Sequence, residues 1–364
     1  MVPPLPLTVV IAADGNFSIP LALCVESLLA SARKETRYNI HILDDGVRAE
    51  VREYLQGLQE PYGCTITHHD VSLSVQGMAE CRQYPRVTFA RFLFDKYLSR
   101  GEAERIFYTD ADVLFCDDLT PLFQMDMGGH PLAAPQEINL ISREKYEYLQ
   151  RWAGVYGVDL AASPGGYFQS GNLLIDSKLW EERKYGATIL EMGLAADLET
   201  SPMPDQDIMN AVCQGDIALM PVRYCVIPLF EKRYEKSTYA AMYEGRCAYS
   251  ADELEQAIRN PAVLHFAGLK PQVLLGPHYA GEEKFIDFWK QSAWRDYLPY
   301  APKLGTQGAE LFLDVTRKLT EQAPELRRKA LKYGILSRLA WGDRRGRYRR
   351  WAQGLKSMLS TIEK

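Results

Sequence analysis

Leu7-Thr-Val-Val-Ile-Ala-Ala13 is a continuous run of apolar and β-branched residues that stops at Asp14-Gly15-Asn16. A strand with one wet face alternates in polarity. A run that does not alternate belongs in a sheet covered by helices on both faces. Ser18 to Ala32 then reads as a helix, with Ser18 as candidate N-cap and Pro20 in the first turn. Tyr38 to Leu43 is a second strand, ended by Asp44-Asp45-Gly46, followed by a helix at Val47 to Leu58 and a third strand at Cys64 to His69. Val87 to Leu98 carries the pattern of a strongly amphipathic helix, and Arg105 to Thr109 that of another strand. Such alternation predicts right-handed βαβ units, an α/β fold on a mostly parallel sheet flanked by helices.

Beyond Leu132 the alternation loosens. Asn172 to Ile175, Ala218 to Pro221 and Val263 to Phe266 read as short strands, and Lys178 to Leu194 and Glu282 to Tyr297 as helices. From Pro324 the composition changes. Leu326 to Lys356 holds eleven Lys and Arg against the single acid Asp343, a charge of +10, whereas the whole chain of 364 residues carries −5. This split marks a separate basic tail. Overall, 47% hydrophobic and 24% charged residues are the balance of a globular protein, which excludes disorder, collagen-like repeats and a coiled coil as the main architecture. The net charge of −5 points away from a nucleic-acid partner. The seven cysteines include no CxxC pair, so neither a disulfide framework nor a structural zinc site is indicated, and a reducing compartment fits. The N-terminus lacks the basic region of a signal peptide, and no apolar run is long enough to span a membrane.

Five stretches could carry chemistry. In Ile106-Phe-Tyr-Thr-Asp110-Ala111-Asp112-Val-Leu-Phe115 an apolar strand runs into two carboxylates spaced by two, which places both on one face of a strand. Two anions at one point repel unless a cation lies between them, and hard carboxylate oxygens suit Mn²⁺ or Mg²⁺. A strand-end turn also explains the pair, but ligands of open parallel sheets bind outside the carboxyl ends of strands, where this pair falls. Ala12-Ala13-Asp14-Gly15-Asn16 ends the first strand in a short loop that a nucleotide could approach, or simply in a tight connection. Tyr167-Phe-Gln-Ser-Gly171-Asn-Leu-Leu-Ile-Asp176 is a polar turn leading into a strand. Pro204-Asp205-Gln206-Asp207-Ile-Met-Asn210 opens an apolar helix, with Asp205 or Asp207 as a possible N-cap. Leu264-His265-Phe-Ala-Gly268-Leu-Lys270-Pro271 places a histidine after a strand, where a core residue is as natural as a ligand.

The set TDAD, YFQSGNLLID, PDQDIMN and HFAGLKP, in this order and spacing over about residues 7 to 300, resembles glycosyltransferase family 8. The similarity is to the retaining, metal-dependent bacterial lipopolysaccharide galactosyl- and glucosyltransferases. It implies a GT-A fold, a Rossmann-like α/β arrangement on a mixed, mostly parallel sheet, and a UDP-sugar donor, UDP-galactose or UDP-glucose. By position, Asp110, Asp112 and His265 would bind Mn²⁺, with Mg²⁺ as the alternative. Ala13, Asp14 and Asn16 would hold the uridine, and Arg91 and Ala111 would contact the donor. Gln169, Ser170 and Gly171 would line the sugar pocket, Asp205 and Gln206 would lie beside the donor sugar as catalytic residues, and Gly268 and Lys270 would meet the diphosphate. Gln169 stands where the family usually has Asn, Asn172 where it has an aliphatic residue, and Gln272 where it has Trp. The resemblance divides the chain into a catalytic domain at 1–305, with a nucleotide-binding half at 1–135 and a sugar and acceptor half at 136–305, and a helical basic tail at 306–364.

Breaking a sugar–phosphate bond puts negative charge on the leaving diphosphate and positive charge on the ring. Those charges call for a cation and Lys270 on one side, and for anions or amide oxygens on the other. No residue is an obvious nucleophile, so attack on the same face as the departing phosphate is favoured over a covalent intermediate. A sugar-nucleotide pyrophosphorylase would carry a cationic Gly-rich loop after the first strand, whereas this loop reads Ala-Asp-Gly-Asn. An inactive nucleotide-sugar-binding protein would not need Asp110, Asp112 and His265 together. In the tail, Leu331, Ile335 and Leu339 recur at helical spacing among the cations and Trp341 and Trp351. That pattern, with the resemblance, predicts peripheral attachment of residues 326–356 to the anionic cytoplasmic face of the inner membrane, where a lipid-linked glycan acceptor would be met.

Overall fold

The computed structural model describes residues 6–75, 86–98, 101, 103–143, 145–161, 166–195, 203–227 and 236–267, with scattered helical positions between 327 and 338. Its strands are β1 (Leu7–Asp14), β2 (Tyr38–Asp45), β3 (Thr65–Asp70), β4 (Arg105–Asp110), β5 (Val113–Phe115), β6 (Leu132–Ala134), β7 (Asn172–Asp176), β8 (Ile217–Leu219) and β9 (Val263–His265). Seven of them form one sheet in the order β3-β2-β1-β4-β7-β6-β8, while β5 and β9 pair separately. The β1–β2, β1–β4, β2–β3 and β6–β8 pairs are parallel. The β4–β7 and β6–β7 pairs are antiparallel, so the sheet is mixed and mostly parallel, as expected.

The absence of alternation in β1 has the expected cause. Val9 and Ile11 pack with the Ser18–Ala30 and Ala49–Tyr62 helices on one side, while Val10 and Ala12 pack with Phe89, Phe92 and Ile208 on the other. Successive side chains of a strand point to opposite faces, and both faces are dry here.

Four local expectations are corrected. Ser18 is not the N-cap: Phe17 holds that position, and the Ser18 hydroxyl donates to Gly15 O at 2.8 Å while accepting from Arg48 N at 3.0 Å. The 87–98 segment is not an amphipathic α-helix with a wet face. It is a 3₁₀ stretch, Arg86–Leu93, running into a short helix at Phe94–Tyr97, and every side chain from Val87 to Leu93 is buried. With Val87 to Leu93 buried on all sides, no polar stripe is left to face solvent. The helix expected over 178–194 breaks into Ser177–Arg183 and Tyr185–Ala195 at Lys184, which takes a left-handed φ of 56°. The Pro204–Val212 helix is capped by neither Asp205 nor Asp207, since Met203 is its N-cap residue. The expected 282–297 helix and most of the tail lie outside the described residues.

The Pro204–Val212 helix is registered against the turn before β7 by Asn210. Gln136 and Phe168 form an antiparallel bridge whose bonds, Glu137 N to Tyr167 O and Gln169 N to Pro135 O, flank Phe168 and leave its own amide groups unused. The buried Asn210 carboxamide takes both: its oxygen accepts from Phe168 N and its nitrogen donates to Phe168 O, each at 2.8 Å. Asn210→Ala strands a buried donor and a buried acceptor, and is expected to cost about 3 kcal/mol in urea unfolding. Unchanged stability would show that the turn is held elsewhere.

Candidate active site

The carboxyl ends of β1 and β4 meet at one rim of the sheet, where Ala12 pairs with Asp110. Asp110 is the last residue of β4, and its N–H donates to Gly171 O at 2.9 Å, so the antiparallel β4–β7 ladder delivers the 169–171 turn to its side. Asp112 is not on the same strand. It lies in the link between β4 and β5, and the chain bends there from one sheet into the other. In the second ladder Val113 pairs with His265, and Phe266 N donates to Asp112 O at 2.9 Å. Two sheets, not the period of one strand, therefore bring the acids and the histidine together.

One ligand atom from each of Asp110, Asp112 and His265 can be chosen so that all lie within 4.8 Å of one another. His265 Nε2 is 3.4 Å from Asp112 Oδ1 and 3.6 Å from Asp110 Oδ2. The Asp112 and His265 side chains are buried, whereas Asp110 is 24% exposed, so the cluster opens to solvent on the Asp110 side. Burial opposes a charge on His265, yet its contacts with Asp112 and Cys225 together outweigh this and hold its pKa well above the ordinary value. Burial pushes the Asp110 carboxyl up, against the pull of Arg91 and His265. Gly171 closes the floor. A Cβ there would meet His265 Cε1 and lie 2.6 Å from Asp110 Oδ2, so only glycine lets the turn approach. Two carboxylates and an imidazole converging on one point are a fitting donor set for a divalent cation of the Mn²⁺ type.

Arg91 is the second organising group. Its Nη2 donates to Asp110 Oδ1 at 3.0 Å, and its Nη1 donates to Ser170 O at 2.9 Å and Ser170 Oγ at 3.0 Å. Nη1 also pairs with Asp205 Oδ2 at 3.1 Å, Nε donates to Thr88 O at 2.9 Å, and the guanidinium lies 5.1 Å from the Tyr108 ring centroid. Burial disfavours its charge, but Asp110, Tyr108, Asp205 and Asp112 outweigh that and raise its pKa further. Ser170 Oγ in turn donates to Asp205 Oδ2 at 3.2 Å, and Ser170 N to Gln206 Oε1 at 3.1 Å. Arg91, Asp110, Gln169, Ser170, Gly171, Asp205, Gln206 and His265 thus form one connected cluster with Asp112. Ala111 is buried between the two acids, and Ala13 and Asp14 end β1 at the adjacent rim. The carboxylate of Asp14 accepts from Phe17 N at 2.9 Å, and Asn16 falls in the Gly15–Phe17 turn. Gly268 and Lys270 lie outside the described residues.

Some contributors were not singled out in the sequence, or were singled out for another role. Tyr108 donates to Asp110 Oδ1 at 3.0 Å, a contact that its spacing of two from Asp110 could have suggested. Asp207, expected as a possible N-cap, instead accepts from Tyr167 at 2.6 Å and from Tyr148 at 3.1 Å, fixing the helix that carries Asp205 and Gln206. Cys225 approaches His265 Nδ1 at 3.7 Å, and the buried carboxyl of Glu137 is raised in pKa by burial. No local pattern marks Cys225 or Glu137. Removing one partner from a buried charge cluster leaves the others uncompensated, so Arg91→Met is expected to cost about 3–5 kcal/mol in urea unfolding. A loss below about 1 kcal/mol would mean that solvent, not Arg91, stabilises the carboxylates.

Residues 8–271 match the family described as glycosyl transferase family 8. Among curated relatives, general stress protein A of Bacillus subtilis is 22% identical over 79% of this chain and 94% of its own length. A lipopolysaccharide 1,2-glucosyltransferase of Escherichia coli is 21% identical over 79% of this chain and 78% of its own. Among solved structures, the galactosyltransferase LgtC in complex with donor and acceptor sugar analogs superposes with a TM-score of 0.56 at 22% identity, over 73% of this chain and 89% of its own. The mixed sheet matches this GT-A architecture, and with the matched region spanning most of its length the chain belongs to glycosyl transferase family 8.

Proposed function

We propose that this chain transfers a hexose, galactose or glucose, from a UDP-sugar to a glycan acceptor with retention of configuration and in a Mn²⁺-dependent manner. The observation that carries the reading is the shared cluster: the triad Asp110, Asp112 and His265 is joined through Arg91 and Ser170 to Asp205 and Gln206. A metal site and a sugar site within one hydrogen-bonded unit suit a reaction that separates charge between a diphosphate and a sugar ring. Asp110, Asp112 and His265 would hold the cation, whose contribution when bound is to stabilise negative charge on the leaving diphosphate.

The remaining roles belong to the chain. Ala13, Asp14 and Asn16 at the end of β1 hold the uridine, Ala111 contacts the donor, and Gln169, Ser170 and Gly171 line the sugar. Gly268 and Lys270 receive the diphosphate. Arg91 acts chiefly by orienting Asp110 and Asp205, because its nitrogens are engaged by protein groups. The same engagement supports attack on the face the phosphate leaves. Asp205 Oδ2 is held by Arg91 and Ser170, and Gln206 Oε1 by Ser170 N, so neither oxygen is presented as a nucleophile. The carboxylate and the amide oxygen stabilise positive charge on the ring, and the departing phosphate takes the acceptor's proton.

UDP release from UDP-galactose and UDP-glucose tests the reading. Mn²⁺ should outperform Mg²⁺, and Asp112→Asn should abolish turnover while leaving the melting temperature unchanged or raised. Asp205→Asn and Gln206→Ala should lower kcat by more than they raise the donor KM, since groups beside the reacting carbon act mainly in the transition state. Full turnover in excess chelator would remove the metal from the scheme, and a donor KM effect at constant kcat would reduce Asp205 and Gln206 to ground-state binding.

The tail is assigned to the membrane surface, as a unit distinct from the catalytic domain at 1–305 and its two halves. No helix among the described residues is long and apolar enough to cross a membrane. Leu336 packs on the core, while Leu331 is 67% and Ile335 50% exposed beside the exposed Arg327, Arg328, Lys332 and Arg338. Apolar side chains ringed by cations suit peripheral attachment to the anionic cytoplasmic face of the inner membrane, with a lipopolysaccharide or other lipid-linked oligosaccharide as acceptor. A chain ending at Glu321 should turn over donor on small soluble acceptors but no longer sediment with anionic vesicles at low salt. Equal sedimentation of both forms would overturn the attachment.

A further inference from the structure

Cys225 is buried, belongs to none of the site motifs, and lies 3.7 Å from both His265 Nδ1 and Gln169 Oε1. A short parallel bridge puts it there. Val226 pairs with Leu264, with Val226 N donating to Val263 O and His265 N to Val226 O. The thiol therefore faces the side of the imidazole turned away from Asp110 and Asp112.

The neighbouring Gln169 carboxamide has its orientation dictated. Gly171 N–H can only donate, and it meets Gln169 Oε1 at 2.7 Å, so the amide nitrogen must face His265 Nδ1, at 3.1 Å. The Gln169 amine therefore offers Nδ1 a donor and no acceptor. A divalent cation on Nε2 requires the hydrogen on Nδ1, and the Gln169 amine cannot receive it. Cys225 can: its S–H donates to Gln169 Oε1, which leaves sulfur lone pairs toward Nδ1.

We propose that Cys225 is the positioning residue of the metal-bound histidine, its sulfur accepting the Nδ1 hydrogen of His265 when Nε2 ligates a divalent cation. This rests on the reading of Asp110, Asp112 and His265 as the metal site. Metal-bound histidines usually donate this hydrogen to a carboxylate, a carbonyl or water, which orients the ring and raises its basicity. A thiol is a weaker acceptor, so the cation is held less tightly here than by a carboxylate-backed histidine.

Mn²⁺ titration of the full chain, followed by the electron paramagnetic resonance of the free ion, tests this without turnover. Cys225→Ala should weaken Mn²⁺ binding about 10-fold, and Cys225→Ser, which keeps an acceptor, should recover most of it. Gln169→Glu supplies a carboxylate that can accept from Gly171 N and from Nδ1–H together. It should tighten binding in the wild-type background and make Cys225→Ala nearly neutral. Wild-type affinity in Cys225→Ala, with binding lost in Asp112→Asn, would overturn the proposal and leave the metal site standing. Wild-type affinity in both would remove the metal site and the proposal together. A loss in Cys225→Ala that neither Ser nor Gln169→Glu restores would mark a packing defect and overturn it. So would a thiolate-to-metal charge-transfer band with Co²⁺, which would make Cys225 a direct ligand.

Discussion

One buried guanidinium organises the candidate active site. Taking Arg91 out of water costs several kcal/mol, and that cost is offset only if nearly every N–H finds a partner and nearby anions compensate the charge. The partners come from three distant stretches: Asp110 at the end of β4, Ser170 before β7, and Asp205 in the first turn of the Pro204–Val212 helix. Satisfying Arg91 therefore fixes how these elements sit relative to one another. It also accounts for the burial of Val87 to Leu93 on all sides, since this stretch carries a charge into the interior between apolar neighbours.

The same arrangement couples two chemistries. A guanidinium that binds a metal-triad carboxylate with one nitrogen and Asp205 with the other ties the leaving-group end of the reaction to the sugar end. A displacement at one end is felt at the other through hydrogen bonds about 3 Å long, not through a flexible linker. Ser170 has a central place for the same reason, since its N–H, hydroxyl and carbonyl all bind members of the cluster. Gly171 completes the unit from below, where any side chain would occupy the space of Asp110 and His265.

The cluster holds three carboxylates, Asp110, Asp112 and Asp205, against Arg91 and the imidazole of His265. Burial, with the neighbouring acids, raises the pKa of Asp110, while the Asp112 and Cys225 contacts raise that of His265 against its own burial. A divalent cation would relieve that repulsion where a proton does so only partly. The partners of His265 Nδ1 thus matter as much as the groups facing Nε2, because the ring can present only one lone pair at a time.

Much of this was legible in the sequence. The unbroken apolar run of β1 implied burial on both faces, because alternation is imposed by water and is absent where there is none. The paired acids, the polar turn before β7, the acidic helix start and the late histidine stood out because metal and sugar-phosphate chemistry needs those residue types. What the sequence could not contain was why the acids converge. Spacing by two suggested one face of one strand, whereas Asp110 ends a strand in the large sheet and Asp112 lies at the bend into another. Nor could spacing show that every side chain from Val87 to Leu93 is buried, that Asp207 and Asn210 hold helix to turn, or that Cys225 lies behind His265. Local sequence determines period and chemistry, because these depend on a residue and its near neighbours. Contacts between residues 40 to 96 positions apart, such as Tyr167 with Asp207 and Gln169 with His265, exist only once the sheet has closed, and tertiary structure alone decides them.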